Sequence, residues 1–299
     1  MAKRFDLTLG LLTIMVWTAA VRAAQFPLRR IDAVFSRTAQ QLPGPVYKYS
    51  WPRTDLQVKV AGTPIVPGLA LGSWAAFTPA DGKTWMIMGD LVLLQSEVGP
   101  VVQRLEAGGI DVTALHNHLV EETPRVMYAH YMGEGEPVEM AKTLKAALEH
   151  SHTPLGFERK STSNQHQRIP QWISQLEKAL GRKGKLTGQV YSVSAPRADE
   201  IRMDGHAIPP AMGIATALNF QELGGKVAST GDFVLIDGEV NPVIKALQQH
   251  NVTVTALHNH MLEDDPRLFF LHYWTVGEPA RVTVALKAAL AQMNVRTGE

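Results

Sequence analysis

The chain contains no cysteine. That excludes a disulfide framework, thiolate metal ligands and a lipid-bearing cysteine after a leader, so any transition metal must be held by His, Asp or Glu. Also missing are a G-x-S-x-G elbow, a Walker loop, an H-E-x-x-H helix and a G-x-G-x-x-G turn, which leaves serine-based hydrolysis, nucleotide use and Rossmann redox chemistry without support. Neither sign of charge dominates: 29 Lys and Arg stand against 28 Asp and Glu. No basic excess is present to attract nucleic acid or an anionic lipid surface. Long apolar runs are scarce too. The one at the start, Leu7 to Val21 behind Lys3 and Arg4, is shorter than the roughly 20 residues that a bilayer core requires.

That opening stretch, with Val21-Arg22-Ala23 at its end, has the layout of a secretory signal peptide over residues 1–23. Its removal takes away Lys3, Arg4, Arg22 and Asp6 and shifts the formal charge from +1 to −1. The mature chain is expected to be periplasmic or secreted, with no membrane insertion. With 45% hydrophobic and 19% charged residues, it has the profile of a packed soluble protein.

What is present is a duplication. Gly89–Leu148 aligns without a gap on Gly231–Leu290, and just under half of the positions are identical. Upstream, Leu42 to Arg53 lies over Leu186 to Arg197. A period this long is a domain rather than a solenoid unit. The expected organisation is a first repeat domain over 24–150, a polar linker over 151–168 and a second repeat domain over 169–299.

Within the first copy the patterns predict helices at Leu28–Gln40 and Glu97–Ala107, and a closing helix at Pro137–Glu149 with proline in its first turn. Strands are expected at Asp55–Val60, Asp111–Leu119 and Val126–Met132, and Asp81-Gly82 is a hairpin signal. The fold class is α+β, with tandem domains, each a mostly antiparallel sheet with packed helices, related by a pseudo-twofold axis.

The most conspicuous repeated segment is Thr-Ala-Leu-His-Asn-His, at Thr113–His118 and again at Thr255–His260. Side chains alternate faces along a strand, so His116 and His118 point one way, as do His258 and His260. His130 and His272 return on the following strand. If the strand register has an even pairing sum, three imidazoles converge on one face in each copy, and an odd register would separate them. Six of the eleven histidines fall in these segments, and all six are matched between the copies. Three imidazoles with a nearby carboxylate, Glu121 or Glu263, make a divalent-metal site with room for water. Nitrogen donors favour zinc, then copper, iron or nickel, over calcium.

Other matched pairs carry weaker signals. Arg125 and Arg267 are candidate contacts for an anionic substrate, or else they answer the acidic turn beside them. The Pro-Arg-x-Asp pattern of Arg53-x-Asp55 and Arg197-x-Asp199 suggests an internal ion pair. Tyr131 and Tyr273 belong on the face opposite His130 and His272, in the core. Asp90 and Asp232 are candidate acceptors for a histidine N–H.

The doubled TALHNH…HY…GEP pattern, through Thr113–Pro137 and Thr255–Pro279, resembles the LppY/LpqO family of bacterial envelope proteins. The resemblance implies a domain of unknown function present twice and brings no activity with it. Some members resemble lipoproteins; a chain without cysteine departs from them. Three functions stay open on sequence grounds. One is an exported metal-binding protein with a site in each repeat, in which Glu121 or Glu263 would serve as general base if a metal-bound water reacts. Another is a metal-free module for a small molecule or cell-envelope ligand, which an exposed Trp74 or Trp274 would favour and burial would weaken, and the third is a non-catalytic metal carrier. The sequence sets neither the oligomeric state nor whether each half binds its own ion or the halves share a composite site.

Overall fold

The computed structural model describes residues 26–80, 84–156 and 170–298. The expected leader, the Asp81-Gly82 turn and most of the expected linker lie outside these residues.

The first half begins with helix α1 (Leu28–Phe35), strands β1 (Gln40–Leu42), β2 (Val46–Pro52), β3 (Lys59–Val60) and β4 (Thr63–Pro64), and the short helix α2 (Pro67–Ala70). It continues with β5 (Gly72–Pro79), β6 (Trp85–Leu94), α3 (Gln95–Ala107), β7 (Asp111–His116), β8 (Glu122–Thr123), β9 (Val126–Gly135) and α4 (Pro137–Leu148). The second half repeats the order: α5 (Gln171–Leu180), β10 (Gly184–Thr187), β11 (Val190–Pro196), β12 (Arg202–Met203) and β13 (His206–Ala207), with a 3₁₀ turn at Pro210–Met212 in the place of α2. Then come β14 (Ala215–Leu223), β15 (Lys226–Leu235), α6 (Asp237–Gln249), β16 (Thr253–His258), β17 (Asp264–Asp265), β18 (Phe269–Gly277) and α7 (Pro279–Leu290).

Each half builds an antiparallel six-stranded sheet, ordered β1-β2-β5-β6-β9-β7 and β10-β11-β14-β15-β18-β16, and a small three-stranded sheet, β4-β3-β8 and β13-β12-β17. The expected mixed α+β fold with two repeated domains is what the chain adopts.

Strand alternation assigns the two faces of each large sheet. Ile87, Leu91, Leu93, Ala129 and Tyr131 turn outward beneath α1, α3 and α4. Phe233, Leu235, Leu271 and Tyr273 do the same beneath the helices of the second half. The alternate residues face inward and meet the other half. Met86 and Met88 pack with Met203, Met261 and Phe270, and Val92, Val126 and Tyr128 pack with Val190, Ala228 and Trp274. The result is four layers, helices–sheet–sheet–helices, in which each sheet buries both faces. No helix among the described residues is long and apolar enough to cross a membrane.

Several elements differ from the sequence expectations for physical reasons. The first helix stops at Phe35 because Ser36 takes a left-handed conformation (φ 50°) that ends the helical ladder. The expected strand at Asp55 shrinks to Lys59–Val60, since the Asp55 carboxylate is bound to Arg53 (2.8 Å) and its segment turns. Strand β7 ends at His116, before His118, and the chain then leaves the large sheet to pair as β8 with β3.

The Pro-Arg-x-Asp pattern is a buried ion network. The Arg53 guanidinium, fully shielded from solvent, donates to Asp55, to Glu97 (2.8 Å) and to the Val92 carbonyl (2.7 Å). Arg197 makes the same set with Asp199, Glu239 and Val234. Glu97 and Glu239 also accept the backbone N–H groups at the starts of α3 and α6, which ties the helix to the sheet. Gly89 is required by close approach: a Cβ there would overlap the Tyr131 hydroxyl and the Trp74 carbonyl.

Candidate metal centre

One extra residue aims the histidines. In β7, Asp111 and Val112 pair with Met132 and Tyr131; the register then slips, and Ala114 and His116 pair with His130 and Tyr128. Thr113 is the inserted residue of a β-bulge. Had the first register continued, His116 would lie opposite Met127 and point into the helix-covered core. The bulge makes the pairing sum even and turns His116 to the inner face with His130. Strand β16 repeats the device at Thr255, so that His258 pairs with Phe270 and Ala256 with His272.

The two bulges also lock the halves together. The Thr113 hydroxyl donates to the His260 carbonyl and the Thr255 hydroxyl to the His118 carbonyl, both at 2.5 Å. This reciprocity is the signature of the pseudo-twofold axis, and it brings the two edge strands together.

All six histidines therefore meet in one place. His116 stacks on His258 with ring centroids 3.5 Å apart, His118 on His272 at 3.7 Å, and His130 on His260 at 3.7 Å. Tyr128 closes one column over His118 (3.6 Å), and Phe270 closes the other over His260 (3.4 Å). Every close histidine stack crosses between halves. The six histidines form one composite cluster between the repeats, because the strand carrying each His-x-His lies at its sheet's edge, against its counterpart. The potential ligand atoms form two groups, His116/His118/His130/His258 and His258/His260/His272, each with all atoms within 4.8 Å and joined through His258.

The chemistry of these donors is that of metal ligands. The Nε2 atoms of all six are buried without a hydrogen-bond partner. On the other side of the ring, His116 Nδ1 faces the Asn117 carbonyl (3.1 Å) and His258 Nδ1 that of Asn259 (3.0 Å), which fixes the proton on Nδ1 and leaves the Nε2 lone pair free. His130 and His272 are hydrogen-bonded to the backbone of Gly89 and Gly231. Burial pushes His116 down to about 4 and His258 to about 3. Burial, then the neighbouring imidazoles, hold His118, His130, His260 and His272 well below the ordinary histidine range. Six neutral imidazoles with unpaired lone pairs fit a nitrogen-preferring divalent ion.

The carboxylates are distributed differently from expectation. Glu121 and Glu263 are exposed on the connecting turns. The next residue of each copy is the one that points inward: both Glu122 oxygens and Asp264 Oδ1 are buried and unpartnered by hydrogen bonds. The local cause is the turn itself, where Glu121 takes φ 58° and Glu122 enters strand β8. Arg125 and Arg267 lie beside these residues, Arg125 Nε 3.6 Å from Glu122 and Arg267 3.4 Å from Asp264. They answer the acidic turn rather than reaching the imidazoles. Asp90 does face a histidine, its Oδ1 4.0 Å from His130 Nδ1.

A cavity of about 1060 Å³ opens between the sheets, and its wall includes His118, His260, His272, Asp90 and Asp232. Lys48 and Trp74 line it too, the ammonium 4.3 Å from the indole centroid. Lys48 went unnoticed in the sequence because it is not repeated: the copy-matching that exposes the histidines hides whatever belongs to one half alone. Trp74 is half-buried, between the exposure that favours a metal-free ligand module and the burial that weakens it. Trp274, the other tryptophan of interest, is buried in the interface core.

The chain belongs to the family described as Domain of Unknown Function (DUF1259), whose model matches residues 29–150 and again 174–292. No curated protein matches it. Among solved structures, a trimeric bacterial microcompartment shell protein, PduB, aligns over 84% of this chain and 87% of its own, at 12% identity and a TM-score of 0.22. A superposition that loose carries no argument about fold or function.

Proposed function

We propose that the protein binds a transition-metal ion in the composite histidine cluster and presents it to a small molecule entering through the inter-sheet cavity. The observation that carries this is the set of six buried Nε2 atoms without partners. A buried acceptor left unpaired costs about 1–3 kcal/mol, and six at one spot form a penalty that an ion removes. Zinc suits the all-nitrogen donor set first, then copper, iron or nickel.

A bound divalent ion supplies Lewis acidity to an oxygen of the ligand. The chain's own residues do the rest. Backbone carbonyls at Asn117 and Asn259 hold two imidazoles with Nε2 as the metal donor, the backbone of Gly89 and Gly231 holds His130 and His272, and Tyr128 and Phe270 cap the stacks. Because His118, His260 and His272 border the cavity, the centre is open to a ligand, which favours chemistry over storage. The doubled Thr-Ala-Leu-His-Asn-His pattern supports assignment to the LppY/LpqO envelope proteins. Together with the leader-like residues 1–23, it supports a place of action outside the cytoplasm.

The test is elemental analysis of tag-free protein, followed by zinc titration of chelator-stripped protein. Bound metal is expected, and His258→Ala is expected to weaken all of it, since His258 belongs to both ligand groups. Independent sites would instead lose half the metal. Protein that arrives without metal and takes up none of zinc, copper, iron or nickel refutes the proposal.

A further inference from the structure

The inner faces of the two sheets carry matching rows of residues, and the rows differ at one end. Across the first sheet, cross-strand pairing sets Ser50, Trp74, Asp90 and His130 side by side. Across the second it sets Ser194, Ala217, Asp232 and His272 side by side. The aspartate and histidine are kept in both rows. Trp74, however, stands where the second half has Ala217, and Lys48 stands where it has Ser192. The cavity wall is therefore two-fold symmetric at the histidines and asymmetric away from them.

The asymmetric pair is built rather than incidental. The Trp74 ring packs so closely on Gly213 of the other half that a Cβ there would overlap it. The Lys48 ammonium lies over the face of that ring. Among the described residues it forms no direct ion pair with a carboxylate. Burial lowers its proton affinity, and Asp232 and Asp90, farther away, oppose that shift only in part. Asp90 is turned toward His130 instead. On the second-half side, Ser192 is spent on Asn219 (2.7 Å) and offers no charge. A lysine over tryptophan, half-buried in a cavity and without a direct counter-ion, lacks an anion.

We propose that Lys48 and Trp74 form the acid-binding end of the cavity, so that the protein takes a small organic anion in one orientation, with its acidic group at Lys48 and its other polar end at the histidines. The orientation rests on the metal reading given above; the anion subsite rests on Lys48 and Trp74 alone. Strands β2 and β9 are three strand spacings apart, about 14 Å, and the lysine side chain spans part of that by reaching over Trp74. The ligand is thus extended, with several bonds between its two polar ends.

Calorimetric titration with a graded series of dicarboxylates, malonate to suberate, tests this on the full chain, both zinc-loaded and chelator-stripped, beside Lys48→Gln and Lys48→Arg. In loaded protein a longer member is expected to bind best, and Lys48→Gln to weaken it at least tenfold while zinc content stays unchanged. Lys48→Arg should recover most of the loss. Weaker binding that still depends on Lys48 should persist in stripped protein. If the protein takes up no metal yet shows that Lys48-dependent binding, the metal reading falls and the subsite stands. Equal affinities for wild type and Lys48→Gln, or no binding of any member at millimolar concentration, overturn the subsite whatever the metal content.

Discussion

Acidification of the metal-free protein should unfold it within a range that most proteins tolerate. A histidine whose native pKa is depressed contributes stability that is fully present above its unfolded value of about 6.5 and is lost as pH falls toward the native one. His116, held at about 4, and His258, at about 3, both remain neutral in the native state at pH 5, and burial holds the other four well below the ordinary histidine range. In the unfolded chain all six are protonated there. His116 and His258 each cost about 2 kcal/mol between pH 7 and pH 5, and the other four act in the same direction. Two groups oppose this. Burial pushes Asp232 up to about 7, and burial followed by the Asp232 charge raises Asp90 well above the usual carboxylate range. A raised native carboxyl stabilises at low pH and loses that contribution as pH rises, so Asp232 returns about 2 kcal/mol over the same window and Asp90 acts with it. Glu97, held at about 2 despite burial by its bonds to Arg53, loses its contribution only below about pH 4.5, outside the window. Six histidines outweigh two carboxyls, so acidification destabilises the native state, against a total stability of about 5–15 kcal/mol for a typical domain. Urea denaturation of chelator-stripped protein at pH 7, 6 and 5 should show the midpoint collapsing, most steeply below pH 6.5. A midpoint that holds or rises as pH falls would show that the imidazoles are not buried as bare neutral bases.

Two further outcomes test the frame around the cluster. Thr113→Val and Thr255→Val each strand a buried carbonyl of the opposite half, and each should cost about 1–3 kcal/mol in urea denaturation together with a loss of zinc affinity. A variant with unchanged stability would mean that the reciprocal bonds do not hold the halves in register. Arg53→Met leaves Glu97 buried without its cation and should destabilise by about 3–5 kcal/mol, a loss read from the same curves; a change below about 1 kcal/mol would refute the buried network.

The repeat and the mixed fold were legible because the two copies keep the same residues at matched positions, and so were all six histidines. Which way they pointed was not. Direction depends on the bulges at Thr113 and Thr255, and nothing in Val-Thr-Ala-Leu marks one threonine as inserted rather than paired. Whether the two sets of histidines stand apart or meet was likewise left open, since the meeting of His116 with His258 depends on both strands being sheet edges. For Glu121, the acidic doublet was visible, but which of its two members turns inward is decided by the left-handed backbone at the first. Lys48 was invisible for the opposite reason, standing where the copies disagree.

The crossing of every close imidazole stack from one half to the other has a consequence for assembly. A chain with a single copy could complete such a centre only as a homodimer, and would lose it on dilution. Fusion of the copies converts that encounter into an intramolecular one, at an effective concentration that does not fall as the protein is diluted. It also frees each partner of the fused dimer from being identical to the other. Only a fused pair can place lysine and tryptophan on one side and serine and alanine on the other, and so give a symmetric centre a front and a back.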